Sequence, residues 1–309
     1  MRFDGGDDVI WAPFWARRSR IVSTGTVRLG SPEPPLFKPR REETSQTRRK
    51  SEVSDPLSAR KQVHRRRGMT VRPAAPWTPA VHTLLRHLES VEFAGSPRVI
   101  GTGIDSAGRE MVEFVAGDVA RDRIWSEEGL FELGRMLRAL HQATTSFRPP
   151  RQAVWQASFL RAHGAETVVS HGDVAPWNVV ARHGLPVALI DWELAGPVDR
   201  LNELAHTGWL NARLFDDGVD DVTELPTAEQ RIRQLRVFVD GYELPAKDRG
   251  ELARRVVEVA ILSAASDAVE AKITPTSTEA AWLAWGVAWR ARSAAWLVRH
   301  RRLLEESLR

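Results

Sequence analysis

A chain of 309 residues, 42% apolar and 27% charged, is long enough for two compact lobes around a real core. It has no cysteine, which excludes disulfides, thiolate nucleophiles, iron–sulfur clusters and Cys-ligated zinc and points to a cytoplasmic protein. The formal net charge of +4 is unevenly placed: residues 1–68 hold 16 Lys+Arg against 8 Asp+Glu, whereas residues 69–309 hold 28 against 32.

The first segment, residues 1–68, is rich in Arg and Pro, with runs Arg48-Arg49-Lys50 and Arg65-Arg66-Arg67. Such a composition buries too little apolar surface to offset chain entropy, which predicts a basic, disordered or non-native extension, with Met69 a candidate native start. The acidic residues Asp4, Asp7 and Asp8 are not followed by a clean apolar run, so no signal peptide is read here. From Met69 the pattern is orderly. Pro79 to Ser90 reads as a helix with Thr78 as cap and Val81, Leu84, Leu85 and Leu88 at helical spacing. Extended segments follow at Arg98 to Ile100 and Arg109 to Val115, around a turn at Asp105 to Gly108. Ser126 to Gln142 is a strong helix, capped by Ser126 and striped by Leu130, Leu133, Leu137 and Leu140. Short strands at Thr167 to Val169, Asn178 to Arg182 and Val187 to Ile190 surround a compact loop and form a hairpin. Helices are predicted near 202–213, 227–241, 248–272 and 278–305. The most apolar late stretch, Ala280 to Val298, is interrupted by Arg290 and Arg292 and fails as a membrane span.

The informative block runs from Ser170 to Gly196. His171-Gly172-Asp173 is followed five residues after the Asp by Asn178, and Asp191 comes thirteen residues later at the end of an apolar strand. Taken singly, an Asp after Gly is a turn former and Asn178 a strand-end cap. Two spaced motifs on one hairpin are harder to explain that way, and together they supply what phosphoryl transfer needs: a carboxylate to accept a proton, and an amide and a second carboxylate to hold a hard divalent cation.

The run from His171 to Asn178, with Asp191-Trp192-Glu193, resembles the catalytic and metal-binding loops of the aminoglycoside phosphotransferase and choline kinase family, relatives of the protein kinases. The resemblance implies an α+β, two-lobed, protein-kinase-like fold over roughly Thr70 to Arg309. Residues 69–118 would form a small, incomplete N-terminal lobe and hinge, and residues 119–309 a mostly helical C-terminal lobe carrying both loops. It implies an ATP- and Mg²⁺-dependent phosphotransferase moving the γ-phosphoryl group to a hydroxyl of an amino-sugar or amino-alcohol type of small molecule. Asp173 would be the catalytic base, Asn178 and Asp191 the metal ligands, and His171 a structural organiser of the loop. Glu203-Leu204-Ala205 stands where many relatives carry Asp-Leu-Ala.

The upper lobe departs from the pattern. The only lysines are Lys38, Lys50, Lys61, Lys247 and Lys272, none of them on the strand before the Pro79 helix. Arg72 stands at about that place and is the candidate phosphate contact, although a planar guanidinium is no drop-in for an ammonium. The helix has no acid in its first turns, and Glu89 at its end reads as solvated. No convincing glycine loop precedes Arg72; Gly25 to Gly30 carries two glycines and is a weak match to a phosphate loop. Glu113-Phe114-Val115 resembles the connecting segment whose backbone pairs with adenine, which makes Glu113 and Val115 the candidate base-binding positions. Trp282, Trp285, Trp289 and Trp296 recur at helical spacing near Asp267 and Glu270. Core packing accounts for such a stripe, and a cationic acceptor would also suit it. Glu193 and Asp199 are alternative acceptor contacts, and His141 and His183 read as surface or packing residues.

Two other readings compete. A catalytically impaired relative would bind nucleotide or another ligand without turnover, as the missing lysine suggests. A nucleic-acid binder would act through the basic segment with salt-sensitive affinity, but the body has no reading motif.

Overall fold

The computed structural model describes residues 55–58, 62–119, 124–162, 166–219, 224–274, 276–277 and 281–309. Its first unit is a five-stranded antiparallel sheet in the spatial order β1-β2-β3-β5-β4: β1 (Asp55–Ser58), β2 (Val63–Arg66), β3 (Met69–Pro73), β4 (Val99–Ile104) and β5 (Arg109–Glu113). Helix α1 (Thr78–Ser90) runs between β3 and β4 and buries Val81, Leu84, Leu85 and Leu88. Its N-cap is Trp77, one residue before the expected Thr78, whose hydroxyl accepts from the amide of Ala75 instead.

β1 and β2 lie upstream of Met69, yet they pair with each other, and β2 pairs with β3. The sheet therefore starts inside the segment expected to be an extension. Arg65 shows why composition misled: its guanidinium lies over the Phe114 ring, 4.2 Å from the centroid, so a basic residue here covers an aromatic face. Residues 1–54, including Gly25 to Gly30, lie outside the described residues.

The chain leaves β5 through β6 (Asp118–Val119), which pairs with β8 (Val179–Arg182) and so fastens the linker to the second lobe. Helix α2 (Glu127–Ala143) follows, with the Ser126 side chain accepting from Gly129 N as a cap should. The hairpin of β8 and β9 (Leu185–Leu189), expected from the sequence, turns at His183-Gly184. β7 (Thr167–Ser170) pairs with β10 (Gly196–Asp199); this second strand was not expected, because three of the four residues of Gly-Pro-Val-Asp are poor strand formers. Helices α3 (Arg200–Asn211), α4 (Ala228–Tyr242) and α5 (Ala246–Glu270) match the predicted segments within a few residues. The final predicted helix is broken at His300 into α6 (Ala281–Arg299) and α7 (Arg301–Leu308). No helix among the described residues is long and apolar enough to cross a membrane.

The core of the second lobe is the leucine stripe of α2, fully buried at Leu130, Leu133, Leu137 and Leu140, packed against α4. The two helices approach through glycines. A Cβ on Gly134 would collide with the Phe238 carbonyl, and one on Gly241 with the Phe131 carbonyl. Gly134→Ala is expected to destabilise by about 1–3 kcal/mol, because backbone must move to admit the methyl. Gly250→Ala, on an exposed turn of α5 with open space around it, is expected to stabilise by about 0.4–1 kcal/mol through the unfolded chain. Urea titration of the pair checks both signs.

Candidate functional site

The loop after β7 and the loop after β9 meet in space. The backbone amide of Ile190 donates to the carbonyl of Asn178 at 2.9 Å. His171 clamps the junction from the other side: its Nε2 donates to the Ile190 carbonyl at 2.9 Å and its Nδ1 accepts from the amide of Asp173 at 3.2 Å. That pairing uses the neutral imidazole, one nitrogen as donor and one as acceptor. Burial pushes the His171 pKa down in agreement, outweighing the nearby Glu203 and Asp191 charges. The ring packs edge-on to Trp192, with centroids 4.7 Å apart.

Gly172 is required here twice over. It sits at φ +77°, and a side chain would strike the Leu194 carbonyl. The tight turn sets Asp173 against Asn178, whose Nδ2 donates to the Asp173 carboxylate at 2.8 Å and to its backbone carbonyl at 2.9 Å. The amide's Oδ1 is thereby turned from Asp173 and is of the oxygen type a hard cation takes. Asp191 adopts a left-handed conformation (φ 65°, ψ 57°) at the start of the Trp192–Leu194 turn, which an Asp tolerates better than most residues.

Arg72 reaches this hairpin from the upper sheet. Its Nη1 donates to Asp191 Oδ1 at 2.8 Å and lies 3.7 Å from Glu193, while its Nε bonds Glu110. Burial alone would lower its pKa, but Glu110 and Asp191 outweigh it and hold the guanidinium charged, above its ordinary value. The expected cation is thus an arginine paired directly with the expected metal ligand. Between β1 and β2, residues 59–62 read Ala-Arg-Lys-Gln, with no glycine.

At the connecting segment, the Glu113 amide donates to the Arg98 carbonyl at 2.7 Å and the Phe114 amide to the Gly68 carbonyl at 2.9 Å. The Glu113 carboxylate accepts from the Arg98 amide at 3.2 Å. Glu113 is therefore tied into the upper sheet by both amide and side chain.

The sequence marked Glu203 by its place in Glu203-Leu204-Ala205 but gave no sign of what it and its neighbours support. Glu203, 0% exposed, accepts from Gly172 N at 2.6 Å and bonds His141 Nε2 at 2.6 Å, and His141 Nδ1 bonds the Tyr242 hydroxyl at 2.8 Å. Burial works to raise the Glu203 pKa, but His141, with the hydrogen bonds from Ser170 and the Gly172 amide, outweighs it and holds the carboxyl below its ordinary value. His141, read as a packing residue, is thus a link in the support of the Asp173 loop. Arg161 donates to the carbonyls of Gln156, Leu194 and Ala195, bracing the segment after Asp191. Burial lowers its pKa to about 10 against the opposing Glu203 charge.

On the far side of Asp173, Arg290 of α6 pairs with Asp267 at 2.7 Å and donates to Ser263 at 2.7 Å. Asp267, weighed above as a contact for a cation, already holds one. Trp296 is buried and Trp289 packs against the core, as the packing reading expected, whereas Trp285 is exposed. Asp199 caps α3 by accepting from Asn202 N at 2.9 Å.

His206 lies beneath this site, buried against Phe159 and Trp209. Burial, aided by the Arg290 charge, depresses its pKa from 6.5 to about 4. The unfolded chain therefore binds the proton first as pH falls, so folded stability declines from about pH 6.5 downward. Between pH 7 and pH 5 this residue is expected to remove about 2 kcal/mol. Denaturant titration at the two pH values checks this, with His206→Phe flattening the slope.

The sequence profile of the phosphotransferase enzyme family matches residues 151–253, which include Asp173, Asn178 and Asp191. Over 247 residues the chain is 46% identical to the trifolitoxin immunity protein of Rhizobium leguminosarum bv. trifolii, spanning 80% of this chain and 94% of that relative. Solved structures share the fold at low identity. A choline/ethanolamine kinase family protein from Mesorhizobium loti superposes with a TM-score of 0.52 at 17% identity, covering 82% of this chain and 92% of that one. An amicoumacin kinase in complex with AMP-PNP, Ca²⁺ and Ami gives 0.54 at 13% identity, covering 74% and 81%. With its paired loops and its close relative, the chain belongs to the phosphotransferase enzyme family and has the two-lobed, kinase-like fold of these solved structures.

Proposed function

We propose that this protein transfers the γ-phosphoryl group of Mg-ATP to a hydroxyl of a small molecule, in the crevice between the five-stranded sheet and the β8–β9 hairpin. The observation that carries the reading is the Arg72 guanidinium, which leaves the upper sheet to meet Asp191 at 2.8 Å beside the Asn178–Asp173 pair. A cation over two motif loops is the arrangement that polyphosphate binding requires.

Asp173 orients the acceptor hydroxyl and takes its proton. The hydroxyl oxygen forms the new bond to the γ-phosphorus as the bond to the β,γ-bridging oxygen breaks, and ADP leaves with that electron pair. Asn178 keeps the Asp173 carboxylate in place through its 2.8 Å bond. Arg72 meets the phosphate oxygens. The donor set fits Mg²⁺: Asn178 Oδ1 and the Asp191 carboxylate are hard oxygens, few enough to leave most of the coordination shell to phosphate and water. Bound there, the ion would neutralise phosphate charge. Val115 is the base-binding position favoured by its backbone, which makes no hydrogen bond among the described residues, whereas the amides of Glu113 and Phe114 are committed.

The acceptor is inferred from the immunity protein's name: a phosphoryl group added to a toxin's hydroxyl would be a means of protection, and the same class of acceptor is proposed here, in the cytoplasm where ATP is supplied. Incubation with γ-labelled ATP, Mg²⁺ and a panel of amino-sugars, amino-alcohols and hydroxyl-bearing toxins should label one class. The competing reading, nucleotide binding without turnover, is favoured by the strand arginine in place of lysine. It predicts nucleotide affinity with no labelled acceptor.

A further inference from the structure

We propose that Glu110 is a positioning residue for the nucleotide phosphates: from strand β5 it does for Arg72 what a helix-borne acid does for a strand lysine in kinase-like sites. The inference rests on the reading of the crevice given above and deepens it. Arg72 and Glu110 are direct cross-strand partners in the antiparallel β3–β5 pair, so their side chains share one face of the sheet. Glu110 is 1% exposed, and both its oxygens are taken, one by Arg72 Nε and the other by His82 Nε2 at 3.0 Å. Burial works against its ionisation, but His82 and Arg72 outweigh this and keep the carboxyl below its ordinary pKa.

The shape of arginine makes a strand acid suitable. Glu110 takes the Nε edge of the fork and leaves Nη1 for Asp191, so the rigid, planar guanidinium is fixed in direction by the strand acid, where a lysine would present one compact, rotatable head. Helix α1 offers no substitute. Its one acid, Glu89, lies at the far end, 4.0 Å from Arg98. What α1 contributes is His82, which bonds the carboxylate from the side opposite Arg72 and so links the helix to the aim of the guanidinium.

The test is a double-mutant cycle read as the dissociation constant of Mg-ADP by calorimetry, with melting temperature recorded alongside. Glu110→Gln keeps the shape but weakens the hold on Arg72, and nucleotide binding is expected to weaken about tenfold, the loss of one charge-assisted bond. In an Arg72→Met background the same substitution is expected to change affinity by less than about twofold, since no guanidinium remains to be aimed. His82→Gln leaves Arg72 and Glu110 in place and is expected to weaken binding in the same direction by a smaller factor, which keeps the test open if Glu110→Gln folds poorly. Equal losses in both backgrounds, or no loss from either single variant, would overturn the assignment while leaving the phosphotransferase reading intact. Absence of Mg-ADP binding by the unaltered protein would overturn that reading and this one with it.

Discussion

Asp173→Asn protein is expected to transfer phosphoryl groups about 10²- to 10⁴-fold more slowly than the unaltered protein, the usual contribution of a positioned general base. Mg-ADP affinity should stay within about twofold, because the variant removes a proton acceptor and little binding surface. The reason lies in the loop. Asn178 Nδ2 bonds the Asp173 carboxylate at 2.8 Å and its backbone carbonyl at 2.9 Å, while His171 accepts from its amide. An asparagine at 173 keeps a side-chain oxygen for the first contact and does not alter the other two. Only the basicity is lost. Single-turnover rates with a labelled acceptor, beside calorimetry, separate the terms, and a variant with full rate would place the base elsewhere.

Glu203→Ala is expected to cost about 3–5 kcal/mol of folding stability, the range seen when one partner of a buried charged pair is removed. Its two oxygens bond His141 and the Gly172 amide, each at 2.6 Å, in a site with no solvent access. Truncation strands a buried imidazole and a buried amide and takes from Arg161 its countercharge. At about 2–4 °C per kcal/mol for a chain of this size, the melting temperature should fall by roughly 10 °C. The effect has a pH signature. The folded-state pKa of Glu203 is depressed, so its contribution is complete above the unfolded value near 4.3 and fades as pH falls through the lower folded value. The gap between the two proteins should therefore narrow in acid. A loss below about 1 kcal/mol, the scale of a surface pair, would show that the loop is held by other contacts.

What the sequence disclosed is what local spacing encodes. Asp173, Asn178 and Asp191 belong to one short hairpin, so their separation along the chain reports their neighbourhood in space. The leucine stripe and Ser126 cap of α2 are equally local signals. Arg72 was legible by its place on the strand before α1, but its partners were not. Glu110 is 38 residues away and meets Arg72 through strand register, and Glu203 meets His141 across 62 residues. Such pairs depend on how elements dock, which no window of sequence contains. β2 was obscured because the charge of Arg65, in Val63-His64-Arg65-Arg66, lies over the Phe114 ring, and β10 because its pairing with β7 comes from the tertiary fold rather than propensity. The partner of Asp267, Arg290, was hidden in the same way, on the neighbouring helix.

The most direct test of the account is calorimetric titration of the unaltered protein with ADP, with and without Mg²⁺, repeated on Asp191→Asn. The account predicts saturable one-site binding that strengthens with Mg²⁺ and an Asp191→Asn protein in which most of the Mg²⁺ dependence is gone. Nucleotide binding indifferent to Mg²⁺, or unchanged by the substitution, would contradict the claim that Asp191 and Asn178 form the floor of a metal-nucleotide site beneath Arg72.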